Sequence, residues 1–423
     1  MAEKIFEEVL DKVQRGINGI KDLQVTFSVG YSGKIMKNQR LNPLKPEFIE
    51  LKKEIVKNLD KLVDQTIKNL SDKFWKVYLA KTREDAINYI LKEVEGEKMI
   101  VKSKTNTGKE IELSEKIEAK GIEIVETDIG DRIIQISKQK PSLPIGPAVH
   151  LDPAYIAEVF SKYYNVPVKP DPREIVKVGR EKLREQILAA NVGITGANVV
   201  VMEEGSIGLV ENEGNISLIT RLPRKHIAIA GIDKIVPSWK DAITVLRVME
   251  ATFDLRGAYC SFIKGPSGTA DIRGLEILGM HGAQETHLVL VDDYRTKALN
   301  EGFEELLYCI NCGRCLIACP IIHHAGIEIF LSEVSTGPIG LVKAALIKGI
   351  NTAVAIGLYL CTGCNRCKEL CPADIDIPKM IEVLREKAIK NGLILPEHQK
   401  MLESIQKYNN PFQKPIKKGL KIS

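Results

Sequence analysis

The sequence of 423 residues lacks long apolar runs. Its best candidate for a membrane-spanning helix, residues 350–360, is far shorter than the roughly 20 apolar residues that a bilayer requires. Charged side chains occur from the start of the chain, so we expect no signal peptide. The sequence also lacks a large excess of charge of one sign. Its formal net charge of +5 does not indicate binding to nucleic acid. We expect a cytoplasmic protein of two or three domains, with peripheral contact to the inner face of a membrane as an alternative.

Nucleotide-binding motifs are absent from the sequence as well. None of the glycine-containing loops matches a Walker A sequence or a dinucleotide fingerprint, so phosphate binding has no support. Because there is no flavin or nicotinamide motif either, removal of a hydride by this chain alone would be hard to explain.

Cysteine is scarce, but its placement is the most informative feature of the sequence. Eight of the nine cysteines fall into two identical runs of the form Cys-x2-Cys-x2-Cys-x3-Cys-Pro. The runs are Cys309, Cys312, Cys315 and Cys319, then Cys361, Cys364, Cys367 and Cys371. This is the bacterial ferredoxin spacing for cubane [4Fe–4S] clusters, so we expect two such clusters that move single electrons.

The spacing also predicts which cysteines hold which cluster. Three thiolates on a tight loop can wrap three corners of one cube, whereas the fourth, before a proline that begins a helix, points toward the other cube. In two-cluster ferredoxins the fourth cysteine ligates the partner cluster. The expected ligands of cluster 1 are Cys309, Cys312, Cys315 and Cys371. The expected ligands of cluster 2 are Cys361, Cys364, Cys367 and Cys319.

Other interpretations of these residues are weaker. Zinc knuckles use paired Cys-x2-Cys units, and disulfides suit small secreted proteins. The remaining Cys260 lies in an apolar stretch and is expected to be a small buried hydrophobic residue. His323 and His324 are assigned to a helix surface or core, because cysteine already fills every cluster position. Three cations in the cysteine runs either help to hold the anionic clusters or are ordinary solvated charges: Arg314, Arg366 and Lys368.

The pattern of apolar and polar residues divides the chain into four predicted segments. They are a helical extension (residues 1–64), an α/β domain (65–297), a helical two-cluster ferredoxin domain (298–390) and a basic tail (391–423). Apolar spacing predicts helices at residues 5–17, 47–70, 83–95, 114–120, 155–164 and 172–190, the last with Asp171 as N-cap. Strands are predicted at residues 99–102, 123–126, 133–136, 199–202, 207–211, 226–230 and 287–291. This alternation is typical of a mostly parallel sheet covered on both faces.

Four polar loops fall next to predicted strands of this sheet, at residues 102–105, 193–198, 211–215 and 265–271. Because the carboxyl ends of parallel strands meet at one edge, the loops predict a shared pocket, with solvated turns as the alternative. Its candidate residues are Lys102, Lys104, Thr195, Asn198, Glu211, Glu213, Ser267, Thr269 and Asp271. Cations and hydroxyls together suit a small organic acid.

Several stretches together resemble the lactate utilization protein B family. They are residues 101–104, 121–131, 192–198, 210–215, 222–236, 265–272, 278–287 and 337–340, within a resemblance that covers roughly residues 65–390. The resemblance implies a LUD domain with the fold of coenzyme A transferases and formyltetrahydrofolate cyclo-ligase, followed by a helical ferredoxin domain. It also implies a cysteine-rich partner subunit and a second LUD-type subunit, which together oxidise L-lactate to pyruvate.

Two points limit what the resemblance carries over. Only a short basic stretch follows the ferredoxin domain, so we expect the family's usual C-terminal extension to be missing, which leaves the partners and the 2-hydroxy acid open. The turn at residues 211–214 (ENEG) is similar to the Glu-Asn-Gly turn that holds a catalytic glutamate in coenzyme A transferases, but a shared fold does not assign a catalytic residue.

Three function classes therefore remain. The first is the iron–sulfur electron-transfer subunit of a lactate-oxidising complex. The second is the same subunit of another flavin- or thiol-linked oxidoreductase, such as a glycolate dehydrogenase or a heterodisulfide reductase-like enzyme, with a flavin dehydrogenase subunit as partner. The third is a small-acid binding or transferase activity of the LUD domain with structural clusters. Residues 320–360 between the cysteine runs favour a helical ferredoxin, on the helical spacing of residues 327–334 and 341–346.

Overall fold

The computed structural model of the chain describes residues 2–18, 39–141, 146–253 and 258–412. The lysine-rich end of the predicted tail, residues 413–423, lies outside them. Within the described residues, no helix combines the length and the apolar character needed to cross a bilayer. The strands are β1 (Trp75–Ala80), β2 (Met99–Lys102), β3 (Glu123–Glu126), β4 (Val192–Gly196), β5 (Val199–Val201), β6 (Ser206–Glu211), β7 (Lys225–Gly231), β8 (Ile235–Val236), β9 (Tyr259–Ile263), β10 (Gly268–Thr269), β11 (Ile277–Leu278) and β12 (Glu285–Val291).

Helices before residue 300 both precede the strands and alternate with them. They are α1 (Ala2–Asn18), α2 (Lys45–Lys57), α3 (Leu59–Ser71), α4 (Arg83–Glu93), α5 (Asn106–Glu110), α6 (Leu113–Glu118), α7 (Ile129–Ser137), α8 (Pro153–Tyr164), α9 (Pro172–Ala189), α10 (Asn215–Ile219), α11 (Trp239–Phe253) and α12 (Arg295–Asn300), with 3-10 helices at Gln39–Leu44 and Ile232–Lys234. The predicted boundary at residue 64 falls inside α3. Asp171 caps α9 as predicted, since its carboxylate accepts a hydrogen bond from the backbone N–H of Arg173 at 2.7 Å.

A six-stranded parallel sheet organises the α/β part, in the order β1-β12-β7-β4-β2-β3. This confirms the predicted parallel sheet. Successive residues of its central strands face opposite sides. Ile227 and Ile229 pack with α4 and α6, whereas Ala228 and Ala230 belong to a core that continues into the second sheet and the C-terminal helices. The second sheet has the order β8-β5-β6-β9, and β10 pairs with β11 in a separate hairpin.

Two local predictions in this part are wrong. Residues 133–136 form the second half of helix α7 instead of a strand, because Asp128 caps that helix by accepting hydrogen bonds from the N–H groups of Gly130 and Asp131. Residues 193–196, the first part of the loop predicted at residues 193–198, belong to the central strand β4. Gly193 is required there, since a Cβ at this position would lie 2.1 Å from the carbonyl oxygen of Ile219.

The C-terminal part is helical, as predicted for its ferredoxin domain. Its α-helices are α13 (Arg314–Ala318), α14 (Pro320–Ala325), α15 (Pro338–Lys348), α16 (Ile350–Ala355), α17 (Arg366–Glu369), α18 (Ile377–Lys390) and α19 (Pro396–Tyr408), with 3-10 helices at Glu304–Tyr308 and Leu358–Leu360. The helical spacing of residues 341–346 is confirmed by α15. Residues 327–334 are not helical, since Phe330 adopts a left-handed φ of 61° and Leu331 forms a β-bridge with Thr336.

One continuous apolar core joins the helices α2 and α3, part of the α/β domain and the ferredoxin helices. It includes Phe48 of α2, Val200 of β5, Leu290 of β12 and Val342 of α15. Helix α1 packs on the ferredoxin helices, where Lys12 donates to the carbonyl oxygen of Ala355 at 2.9 Å. The N-terminal extension and the ferredoxin helices therefore build directly on the α/β part.

Candidate functional site: two thiol quartets and an adjoining cavity

The first thiol quartet comprises the predicted ligands of cluster 1. The side chains of Cys309, Cys312, Cys315 and Cys371 line one cavity of about 430 Å³. Burial, together with the neighbouring thiols of Cys371 and Cys309, raises the pKa of Cys312 to about 12. Four thiolates this close would repel one another, and iron between them would remove the repulsion. The donor set therefore fits a four-thiolate cluster.

The second quartet comprises the predicted ligands of cluster 2. Burial, followed by the thiols of Cys361, Cys319 and Cys364, raises the pKa of Cys367 to about 12. Burial also raises the pKa of Cys319 to about 11, and the neighbouring thiols are again Cys361 and Cys364. The fourth cysteine of each run thus lies among the thiols of the other run. Cys364 is exposed, so this quartet reaches the protein surface.

The two cysteine loops repeat the same backbone geometry. Asn311 and Gly313 have φ values of 54° and 73°, and Gly363 and Asn365, at the equivalent positions, have 67° and 61°. Asparagine and glycine are the residues that adopt this left-handed conformation most readily. Cys319 precedes a helix that begins at Pro320, as predicted, whereas no helix begins at Pro372.

The three cations in the cysteine runs have different surroundings. Arg314 is 4 % exposed, and its Nε and Nη1 have no hydrogen-bond partner among the described residues. Burial lowers its pKa, against the attraction of Cys312 and Cys371. Arg366 is exposed, and Lys368 pairs with Asp376 at 2.6 Å. Of these three cations, only Arg314 is therefore buried beside a thiol quartet.

A larger cavity of about 720 Å³ lies beside the first quartet and contains part of the predicted pocket. Four candidate residues line it: Lys104, Asn198, Glu211 and Glu213. The carboxylate of Glu211 accepts hydrogen bonds from the backbone N–H of Ser217, at 2.8 and 3.0 Å, and from its hydroxyl. Glu211 therefore holds the first turn of α10. Asn198 accepts a hydrogen bond from the N–H of Val210 at 2.9 Å, so it fixes the cavity wall.

The other five candidate residues are not in this wall. Lys102 is buried against Glu126, with a distance of 2.8 Å between its Nζ and the carboxylate, and it lines the smaller cavity. Thr195 is buried on β4, where its hydroxyl lies 2.8 Å from Nε2 of His226. Ser267, Thr269 and Asp271 belong to the segment around the separate β10–β11 hairpin, and they do not line the cavity.

Glu213 is a cavity residue whose carboxyl group has a raised pKa. Its side chain is open to the cavity, yet desolvation by the wall and the charge of Asp128 raise its pKa to about 7. The N–H of Ile129 donates to its carboxylate at 3.1 Å. Lys104, which lies 3.2 Å from Asp131, provides a cation in the same wall. The arrangement can therefore bind an anion and hold a proton near neutral pH.

Sequence reasoning missed the side of the cavity that faces the clusters. Lys52 of α2, Asp233 and Lys234 of the 3-10 helix after β7, and Ile310 and Asn311 of the first cysteine loop line it. No local pattern marks these residues, because they come from three segments far apart in the chain.

A buried ion network ties this side of the cavity to the first cysteine loop. Glu110 accepts hydrogen bonds from Lys343 at 2.6 Å and from Arg295 at 2.8 Å. Arg295 also pairs with Asp233. Lys234 donates to the carbonyl oxygen of Cys309 at 3.1 Å. The network therefore runs from the α/β part into the ferredoxin helices.

Comparison with known proteins decides the family. The model of the LUD domain matches residues 63–291, and that of the 4Fe-4S dicluster domain matches residues 305–375. Lactate utilization protein B 1 of Bacillus mycoides is 32% identical over 394 residues, which are 92% of this chain and 78% of the relative. Lactate utilization protein B of Geobacillus kaustophilus is 34% identical over 355 residues, 83% of this chain and 71% of the relative. The chain belongs to the lactate utilization protein B family.

Membership of the lactate utilization protein B family confirms the resemblance, and the two matching models confirm a LUD domain and a two-cluster ferredoxin domain. The bounds of the four segments stay predictions. An uncharacterized electron transport protein of Escherichia coli is another relative, 32% identical over 359 residues, 84% of this chain and 73% of that protein. The dicluster domain contains all eight cysteines of the two runs, so the chain carries two [4Fe–4S] clusters.

One prediction about cysteine chemistry is wrong. Cys260, expected to be buried, is exposed on β9, which lies at the edge of the four-stranded sheet. The apolar residues around Cys260 favour a strand, but they do not determine whether the face that carries Cys260 is covered by other elements.

Proposed function

We propose that the chain is the iron–sulfur electron-transfer subunit of a complex that oxidises L-lactate, or a related 2-hydroxy acid, to the 2-oxo acid. The names of the relatives support the substrate class. The observation that carries the electron path is that Ile310 and Asn311, between two cysteines of the first quartet, also line the large cavity. A molecule in the cavity would therefore lie against the loop of cluster 1.

The roles of the thiols follow from their grouping. Cluster 1 is held by the first quartet and cluster 2 by the second, in the crossed pattern described above. When bound, the two clusters supply two one-electron sites, which matches the two electrons released when a 2-hydroxy acid becomes a 2-oxo acid. In the cavity, Lys104 would pair with a substrate carboxylate, and Glu213 would hold a proton near neutral pH.

The partners in this proposal supply the chemistry that the chain lacks. A cysteine-rich subunit and a second LUD-type subunit, or a flavin dehydrogenase subunit, would remove the hydride equivalent. The exposed Cys364 end of the second quartet is the side on which an electron can leave or enter through a docked protein.

Dependence on partners gives the first prediction. The purified chain with both clusters should not transfer electrons from L-lactate to a redox dye, whereas the complex recovered from the native host should do so. The assay compares several 2-hydroxy acids under anaerobic conditions. Robust lactate-dependent dye reduction by the chain alone would contradict the proposal.

A second prediction concerns the pH dependence of the assembled complex. The pKa of Glu213 is raised above its usual range to about 7, so the side chain is protonated below pH 7 and negatively charged above it. A substrate carboxylate should then bind more weakly above pH 7, and the KM for the 2-hydroxy acid should rise. Glu213→Gln should remove this rise.

The matched control for Glu213 is Glu204→Gln. Glu204 pairs with Lys264 at 2.6 Å and does not line the cavity. The control should keep the pH profile of the parent. An unchanged profile in Glu213→Gln would exclude Glu213 from the binding step.

The size of the cavity supports a second candidate function. At about 720 Å³ it lies in the range that holds cofactor-sized ligands, and lactate would fill only a part of it. A LUD-domain binding or transferase activity on a larger acid, with structural clusters, is therefore the alternative. Such an activity would survive replacement of Cys364 by serine, whereas electron transfer through cluster 2 would not.

A further inference from the structure

The surroundings of the two thiol quartets differ in buried charge. The network beside the first quartet contains four cations, Lys52, Lys234, Arg295 and Lys343, and two carboxylates, Glu110 and Asp233. Its net charge is therefore +2, before the buried guanidinium of Arg314 is added. A buried cation is stabilised by an anion close by.

The first quartet provides that anion when it holds its cluster. A four-thiolate [4Fe–4S] cluster carries a charge of about −2 when oxidised and becomes more negative on reduction. The network also touches the loop of this quartet directly. Lys343 donates to the Oδ1 of Asn311 at 2.9 Å, and the N–H of Asn311 lies 3.3 Å from the Sγ of Cys309.

The second quartet has less positive charge around it. Arg385, which is partly buried, donates to the carbonyl oxygens of Leu358 and Cys361. Arg366 is exposed, and Asp376 neutralises Lys368. Solvent screens exposed charges, so they act weakly on a neighbouring site.

Burial and positive charge act on a cluster in opposite directions. Burial disfavours the more anionic reduced state, whereas nearby cations favour it. Arg314 and Lys343 are 4 % and 3 % exposed, so solvent screens their charges little, whereas the cations beside the second quartet are exposed, paired or only partly buried. The two quartets therefore differ in the effect that favours reduction.

We propose that the buried cations Lys343 and Arg314 make cluster 1 the site of higher reduction potential, so that the first electron resides beside the large cavity. Cluster 2, with its edge at the surface, is the lower-potential site that exchanges electrons with a partner. The inference rests on the crossed ligation proposed above. Lys343 acts on cluster 1 through its positive charge and does not bind iron.

The test is an anaerobic redox titration of the full chain with both clusters, followed by EPR. Cys364→Ser identifies the signal of cluster 2, because Cys364 belongs only to that quartet. The higher-potential signal should be the other one. Lys343→Gln should shift the higher-potential midpoint downward and leave the lower one in place. Arg366→Gln, the matched exposed cation, should shift either midpoint less.

A second variant tests the same inference in case Lys343→Gln does not fold. Asn311→Asp adds a carboxylate beside Lys343, and Asp tolerates the left-handed φ at this position. It should also lower the higher-potential midpoint. The inference is overturned if Cys364→Ser alters the higher-potential signal, or if Asn311→Asp leaves both midpoints unchanged. Lactate oxidation by the complex is measured separately, so failure here is distinct from failure of the proposed function.

Discussion

Glu110→Ala should lower the free energy of unfolding by about 3–5 kcal/mol, the cost of removing one partner from a buried ion network. Glu110 is 2 % exposed and is the shared acceptor for Lys343 and Arg295. Without its carboxylate, two cations from different parts of the chain lose their common counter-ion. The effect should be measured by urea unfolding of the anaerobically purified protein.

The control for Glu110 is Glu185→Ala. Glu185 is 65% exposed and pairs with Lys182 at 3.0 Å on the surface of α9, so its removal should hardly change the urea midpoint. If Glu110→Ala were as mild as Glu185→Ala, the network would not hold the two parts together.

The same carboxylate predicts how stability changes in acid. The pKa of Glu110 in the folded chain is about 2, below the ordinary value of 4.5. Its contribution is therefore complete above about pH 4.5 and is lost as the pH falls through about 2. The difference in unfolding free energy between the parent and Glu110→Ala should shrink over that interval.

Cys319→Ser should perturb cluster 2, although Cys319 belongs to the first cysteine run. Its thiol lies with those of Cys361 and Cys364. The parent should contain about eight irons per chain, and loss of one cluster would leave about four. In EPR, Cys319→Ser should alter the same cluster signal that Cys364→Ser alters. It should leave unchanged the signal that Cys312→Ser alters.

Cys260→Ser is the matched control for these variants. Cys260 is exposed on β9 and lies outside both quartets, so the variant should keep both clusters. If Cys319→Ser instead altered the signal that Cys312→Ser alters, each run would hold its own cluster, and the crossed ligation would be wrong.

Local patterns predicted much of this fold, because the forces behind them act over a few residues. The cysteine spacing, the cap at Asp171 and the parallel strands such as β2 and β3 depend on neighbouring side chains. Prediction failed where packing overrides local preference. The isoleucine-rich residues 133–136 lie in a helix that Asp128 caps, and Gly193 lies in β4 where a side chain would clash with the carbonyl oxygen of Ile219 in α10.

The candidate site was only partly predictable for a related reason. Lys104 follows β2 of the parallel sheet, whereas Glu213 follows β6 of the second sheet, where β6 pairs antiparallel with β5 and β9. The cavity therefore lies between strand ends of two different sheets, which the prediction of one parallel sheet did not include. The hairpin residues Ser267, Thr269 and Asp271 looked similar in sequence but belong to a separate two-stranded unit. Lys52 and Asn311 reach the cavity from the N-terminal helices and the ferredoxin part, and no sequence period encodes such contacts.

The most direct test of the central claim is freeze-quench EPR after L-lactate is added anaerobically to the assembled complex. We expect the two clusters of this chain to become reduced in the complex, and the same addition to leave them oxidised in the isolated chain. Rapid lactate oxidation by the complex while both clusters remain oxidised would contradict an electron-transfer role.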